Sequence, residues 1–148
     1  MVISNLNTKL IEDRLGFILK AHQKLIELSK LEREEFLTND KPAIAESYLR
    51  RALESVFDIG RHILAKIAGK GVVEYKEIAK KLGEHGVISK PCAEKLILMA
   101  GYRNRLVHFY HDVSDEELYT IIRENLSDIE QFIREMKNFI KSYKNAIL

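Results

Sequence analysis

A single cysteine, Cys92, stands in a chain of 148 residues, so no internal disulfide can form, and one thiol alone makes neither a zinc finger nor a redox pair. Nothing therefore points to an oxidising compartment. Glycine and proline are scarce, seven and two, which suits a helical protein and argues against a disordered one. The longest apolar stretch, LILMAGY at 96–102, is far too short to span a bilayer. The first residues, MVISNLNTKLIEDR, lack the basic start, apolar core and cleavage site of a secretory signal, and a cytoplasmic location is expected. A formal charge of +2 is too small to announce a nucleic-acid binder. Internal repeats, low-complexity tracts and strand alternation bounded by hairpin turns are all missing.

What is present is enough for one core. Hydrophobic residues make up 46% and charged residues 31%, and the length fits a single domain, 1–148. The charges are unevenly placed. Between Arg61 and Arg105 ten Lys and Arg stand against four Asp and Glu, whereas between Asp112 and Glu135 two stand against eight. This is either two solvated helix faces or a basic surface beside an acidic one.

Helical spacing recurs along the chain. Leu10, Ile11, Leu15, Ile18, Leu25 and Ile26 keep to one face and predict a long helix over about 7–28. Ser29 with Glu32 has the form of a capping box opening a short helix through Phe36, and the run LEREEF at 31–36 reads as a solvated acidic segment. Asp40 and Pro42 open a second long helix running to about Ala68, where Gly69 and Gly71 stop it. A short helix over Tyr75 to Leu82 is closed by Gly83 and Gly86. Ser89 and Pro91 start the next helix, and Ser114 with Glu117 caps a last one reaching about Lys144. Long helices with short connections predict an all-α, up-and-down four-helix bundle with short additional helices.

One stretch is unlike the rest. RNRLVHFYHD, residues 103–112, sets Arg103, Asn104, Arg105, His108, Tyr110, His111 and Asp112 among apolar residues. On its helix, Leu98, Met99, Tyr102, Leu106 and Phe109 form a stripe expected to face the bundle, and Leu96, Ala100 and Val107 a second strip expected to face a further partner, such as another subunit. Asn104 and His108, four apart, stack on one side, while His108 lies about 140° round from Arg103 on an ideal helix. One helix thus does not aim Arg and His at one atom, but a two-fold axis near this face would gather two copies of each in one cleft.

The order Arg103, four residues, His108, one residue, Tyr110, with Asn104 directly after the arginine, resembles the signature of the HEPN superfamily and in particular its HepT-type toxins. AIAESYLRRALESVFDIGRHILAK at 43–66 resembles that family's second helix, and LILMAGYRNRLVHFYHDVSDEELYTII its motif helix and the entry to the last helix. The likeness runs from about Leu10 to Ile140. It implies a homodimeric bundle that cuts RNA without a metal ion or cofactor, a toxin of a type VII-like toxin–antitoxin pair. It also implies a partner, a minimal nucleotidyltransferase antitoxin that transfers AMP to the motif tyrosine. Carried over by position, Arg103 and His108 are the catalytic candidates, Asn104 the polar accessory and Tyr110 the residue modified by AMPylation. Arg105 and Phe109 fall at variable positions, Phe109 where many relatives carry an acid.

The chemistry of these side chains agrees with that reading. Metal-free RNA cleavage needs a base for the 2′-hydroxyl proton, an acid for the leaving 5′-oxygen and positive charge for the crowded phosphate. Histidine titrates near neutrality and arginine stays charged with a fork of donors. Plainer roles exist for each residue: a half-buried structural histidine, a solvated Arg105, a tyrosine that buries its ring at a helix end. His108, His111 and Asp112 have spacings that could hold a metal, but no second cluster offers the remaining ligands, so no metal site is expected. Glu54, Asp58 and His62 read as the polar face of the second long helix, with Asp58 able to reach toward the motif helix. The alternative function is a non-catalytic helical subunit that binds a minimal nucleotidyltransferase or a nucleotide.

Overall fold

Asn7 starts the first helix by accepting the Leu10 N–H at its Oδ1, 3.0 Å away, which satisfies one of the amides a helix start leaves unbonded. The structure is a computed structural model and describes residues 6–69, 71–108 and 113–147. It contains α1 (Thr8–Ser29), α2 (Arg33–Phe36), α3 (Lys41–Ile67), α4 (Tyr75–Glu84), α5 (Lys90–Val107), α6 (Asp115–Glu124) and α7 (Leu126–Ile147). Among the described residues there is no strand, and no helix is long and apolar enough to cross a membrane.

The long helices form a closed ring in chain order. α1 packs on α3, α3 on α5, α5 on α7 and α7 back on α1. Each step reverses direction. The Asn7 N–H at the start of α1 donates to His62 near the end of α3 at 3.0 Å, Ser89 before α5 meets Glu135 of α7, and Lys95 one turn on meets Asp128. This is the up-and-down bundle that the short connections predict. Its centre is filled by Ile11, Ile18, Leu25, Leu53, Phe57, Ile63, Phe132 and Met136, all fully buried. Burying a side chain of that kind contributes about 1.5–3 kcal/mol.

Several local expectations change in the structure. Ser29 donates to the Ile26 carbonyl at 2.7 Å and does not cap α2. The segment 31–36 is not simply solvated: Phe36 is fully buried, its ring 5.0 Å from that of Tyr119, whose hydroxyl donates to the Leu31 carbonyl. Gly83 does not end α4, which runs to Glu84 and closes at Gly86, φ +71°. There Val87 N–H reaches the Leu82 carbonyl and Gly86 N–H that of Gly83, the paired bonds of a helix ended by a left-handed residue. The last helix is two. Asn125 accepts the Asp128 N–H at 3.1 Å while its own N–H caps α6 at Ile121, so one residue ends α6 and opens α7.

Gly83 and Gly60 serve close packing. A Cβ on Gly60 would stand 2.7 Å from Ile78 Cγ2, and one on Gly83 would stand 2.7 Å from the Ala93 Cβ. Their absence lets α4 lie flush against α3 on one side and α5 on the other. The first turn of α5 is equally firm. Cys92 is buried there, and burial, with Glu135 nearby, pushes its thiol up to about 12. It is a neutral core residue at physiological pH.

Candidate active site

The motif helix α5 buries Cys92, Ala93, Leu96, Met99 and Ala100 against its own bundle. Leu96 and Ala100, expected to face a second partner, are therefore core residues, and Leu98, expected to face the core, is 59% exposed. The core stripe is centred about a third of a turn from the expected one because α4 covers a side of α5 that the four-helix pattern leaves open. Arg103 continues the inner face and is only 17% exposed.

A buried-facing arginine needs partners, and three elements supply them. Glu54 of α3 accepts from Arg103 Nε at 2.9 Å. The guanidinium lies over the ring of Tyr75, from α4, 4.0 Å from its centroid, well inside the range of a cation–π contact. The Tyr75 hydroxyl donates to the other oxygen of Glu54 at 3.2 Å. Arg103 Nη1 donates to Asn104 Oδ1 at 3.3 Å. One carboxylate thus orients both the arginine and the ring beneath it, and Arg103 in turn reaches the amide of its neighbour.

The helix ends immediately afterwards. His108 donates its N–H to the Asn104 carbonyl at 3.2 Å, but its own backbone is extended, φ −95° and ψ 125°. The histidine is exposed, on the surface where the chain leaves α5. That backbone bond ties His108 to Asn104 as in any helical turn, while His108 itself has left the helical conformation. Tyr110, with Phe109, His111 and Asp112, lies outside the described residues.

Arg105 differs from the expectation of a solvated charge. Its Nη1 and Nη2 donate to the two oxygens of Glu117 on α6, 2.5 and 2.6 Å away. The hydrogen bond holds the Glu117 carboxyl below the usual carboxylate range and raises the guanidinium further. Glu117 thereby spends its side chain on α5, while its N–H still receives the Ser114 cap at 3.1 Å. With Lys95 and Asp128, 3.7 Å apart, this pair stitches the basic region of the sequence to the acidic one. Part of the charge asymmetry is thus answered by pairs within the chain.

Glu54 and Tyr75 are the site residues that sequence reasoning misses. Glu54 carries a signal, a carboxylate inside the stretch LESVFDIG whose neighbours Leu53, Ser55, Val56 and Phe57 are all buried. Tyr75 carries none, since its place depends on how α4 seats. Asp58 does not reach the motif helix. It lies 3.1 Å from Arg61 and 3.6 Å from Arg14 instead. His62 accepts the Asn7 N–H and is held below its ordinary pKa, first by burial and then by Lys66.

Comparison with known proteins gives the family. Over 140 residues the chain is 24% identical to the tRNA nuclease HepT of Aphanizomenon flos-aquae, covering 93% of this chain and 95% of the relative. It is 28% identical over 89 residues to the mRNA nuclease HepT of Shewanella oneidensis, covering 60% and 67%. In fold it is similar to the tri-AMPylated HEPN toxin of Shewanella oneidensis solved in complex with its MNT antitoxin, with a TM-score of 0.76, 23% identity and coverage of 87% and 97%. The family model for ribonuclease HepT-like proteins matches residues 18–136, a span that holds Glu54, Tyr75, Arg103 and His108 together, and the chain belongs to that family.

Proposed function

We propose that this protein is a metal-independent endoribonuclease toxin, neutralised by a nucleotidyltransferase antitoxin. The observation that carries the reading is Arg103, fixed by Glu54 and Tyr75 at the end of α5 beside Asn104, with exposed His108 following one turn later. In the reaction the RNA 2′-oxygen attacks phosphorus and the bond to the 5′-oxygen breaks. A proton leaves the 2′-hydroxyl for a base and another reaches the departing 5′-oxygen, giving a cyclic phosphate and a free 5′-hydroxyl. Histidine suits either proton transfer, and arginine the charge that accumulates on phosphate.

One chain supplies one histidine and one arginine of the motif, and the second set comes from a homodimer. The outward side of α5 supports this assembly. Leu98 is exposed, Ile97 lines a crevice of about 330 Å³ between α4 and α5, and a Cβ on Gly101 would touch nothing within 4 Å. That side also carries Asn104. Tyr110, two residues beyond His108, is the site of AMP transfer. An adenylate there adds phosphate and a bulky base to the motif, negative charge that competes with substrate for arginine and bulk that obstructs RNA.

Cleavage of single-stranded RNA in EDTA, with identification of the new ends, tests the ribonuclease. His108→Ala and Arg103→Ala are expected to lose roughly a hundredfold to ten-thousandfold in rate while staying folded. A requirement for divalent metal, or variants as active as the parent, would overturn the mechanism. RNA that is bound and never cut would favour the non-catalytic subunit. For the switch, coexpression with a nucleotidyltransferase encoded beside this chain should add AMP mass to the Tyr110 peptide and none in Tyr110→Phe.

A further inference from the structure

Tyr75 is shared by two arginines. Arg103 lies 4.0 Å and Arg61 5.5 Å from its ring centroid. Arg61 Nη1 is 3.1 Å from one oxygen of Asp58, and Arg14 Nε is 3.6 Å from the other. Three guanidiniums from α1, α3 and α5 are thereby strung along one surface, from Arg103 across Tyr75 to Arg61 and through Asp58 to Arg14. Along α3, Glu54, Asp58 and Arg61 follow at intervals of four and three residues, the spacing of one helical stripe.

Charge and exposure set the two ends of this row apart. Arg103 is largely buried, but the Arg61 and Arg14 side chains are 36% and 43% exposed. Among the described residues two carboxylates, Glu54 and Asp58, pair with the three arginines, and one of them is divided between Arg61 and Arg14. A half-exposed ion pair contributes little, about 0–1 kcal/mol, so a phosphate can compete for these guanidiniums. Arginine presents five donors in a fork matched to phosphate oxygens.

The geometry points to Arg61 and Arg14 as a subsite for the RNA backbone, holding the phosphates to one side of the scissile one at Arg103, with Asp58 as a built-in competitor. The inference rests on the ribonuclease reading above and extends it to residues outside the motif. Asp58 keeps the two arginines extended and spaced in the absence of RNA, and weakens binding by occupying them.

Binding of a short single-stranded oligoribonucleotide to the full-length His108→Ala protein, titrated over a range of salt, tests it. Adding Arg61→Ala or Arg14→Ala is expected to weaken binding several-fold and to reduce the slope of log K against log salt by about 0.7 for each phosphate that is no longer neutralised. Asp58→Asn is expected to tighten binding, the opposite of what a merely structural ion pair would do. In the active protein Arg61→Ala should raise KM with kcat retained. Arg134→Ala, the same charge change on α7, controls for net charge. If Arg61→Ala and Arg14→Ala match that control, or Asp58→Asn weakens binding, the subsite is overturned while the ribonuclease reading stands. If neither the parent nor His108→Ala binds RNA at low salt, both readings fall.

Discussion

The two ends of α5 are held by opposite means. At its start, Ser89 gives its N–H and its hydroxyl to the two oxygens of Glu135, 2.6 and 2.8 Å away, while its Oγ accepts the Cys92 N–H. Burial raises the Glu135 carboxyl, but the bonds from Ser89 and Gln131 outweigh it and leave it below its usual range. At its other end, Arg103 turns inward to Glu54 and Tyr75, and Arg105, two residues on, turns outward to Glu117. The start is a neutralised joint between two helices. The far end spends two cations in two directions and leaves His108 exposed to solvent. A helix can thus be bonded at both ends and still gather its polar motif at one terminus only.

Substitutions at each end should separate these roles. The largest effect is expected from Glu54→Ala, which releases Arg103 from its orientation. Misplacement of that order costs roughly a hundredfold in rate, and RNA cleavage by the folded fraction should fall accordingly, alongside a lowered melting temperature because a largely buried guanidinium loses its carboxylate. Full activity in the folded fraction would make Glu54 a structural residue instead. At the opposite end, Glu135→Ala strips charge-assisted bonds from the helix start, a loss of about 2 kcal/mol, visible as a lowered denaturant midpoint with the folded fraction fully active. Reduced activity in that folded fraction would show that the two ends are coupled.

Smaller effects sharpen the picture. Arg105→Ala removes a pair that is about a third exposed, and about 0.2–1 kcal/mol of stability should go with it. Glu117 holds its proton less tightly folded than unfolded. The pair's contribution is therefore complete above the unfolded carboxylate pKa of about 4.3 and disappears as pH falls through the lower folded value. Denaturation of parent and Arg105→Ala should converge in acid. The smallest is at His62. Because its folded pKa is lowered, its contribution is whole above about 6.5 and is lost as pH falls through the folded value. Amide exchange at Asn7, whose N–H it accepts, should quicken over that window relative to neighbouring amides. A flat profile would show that His62 is not the fastening.

Much of the bundle was legible because amphipathic spacing and start signals are local. Ser89, Pro91 and the period of Leu10, Ile11, Leu15 and Ile18 need only their own neighbours, and α1 and α5 fall where these place them. Asn125 was not legible as a break, since the apolar spacing of Ile121, Ile122, Leu126 and Ile129 continues across it. Arg103, Asn104 and His108 stood out as polar groups inside an apolar helix. What each touches was hidden, because Glu54 and Tyr75 meet Arg103 only once α3, α4 and α5 have packed. The faces of α5 have the same origin: Leu98 and Leu96 exchange roles when α4 is laid against the helix through Gly83 and Ala93.

The lone Cys92 makes this protein its own clock for opening. A thiol buried at the start of α5 and pushed up to about 12 has almost no thiolate to offer while the helix stays docked, and an alkylating reagent can capture it only during excursions that expose it. With one sulfhydryl in the chain, every labelled molecule records exposure of the start of α5, whether by local parting from its neighbours or by unfolding of the bundle. The rate of labelling, followed with and without RNA or an AMP-transferring partner, would time the breathing of the helix that carries Arg103 and His108 without introducing any foreign probe.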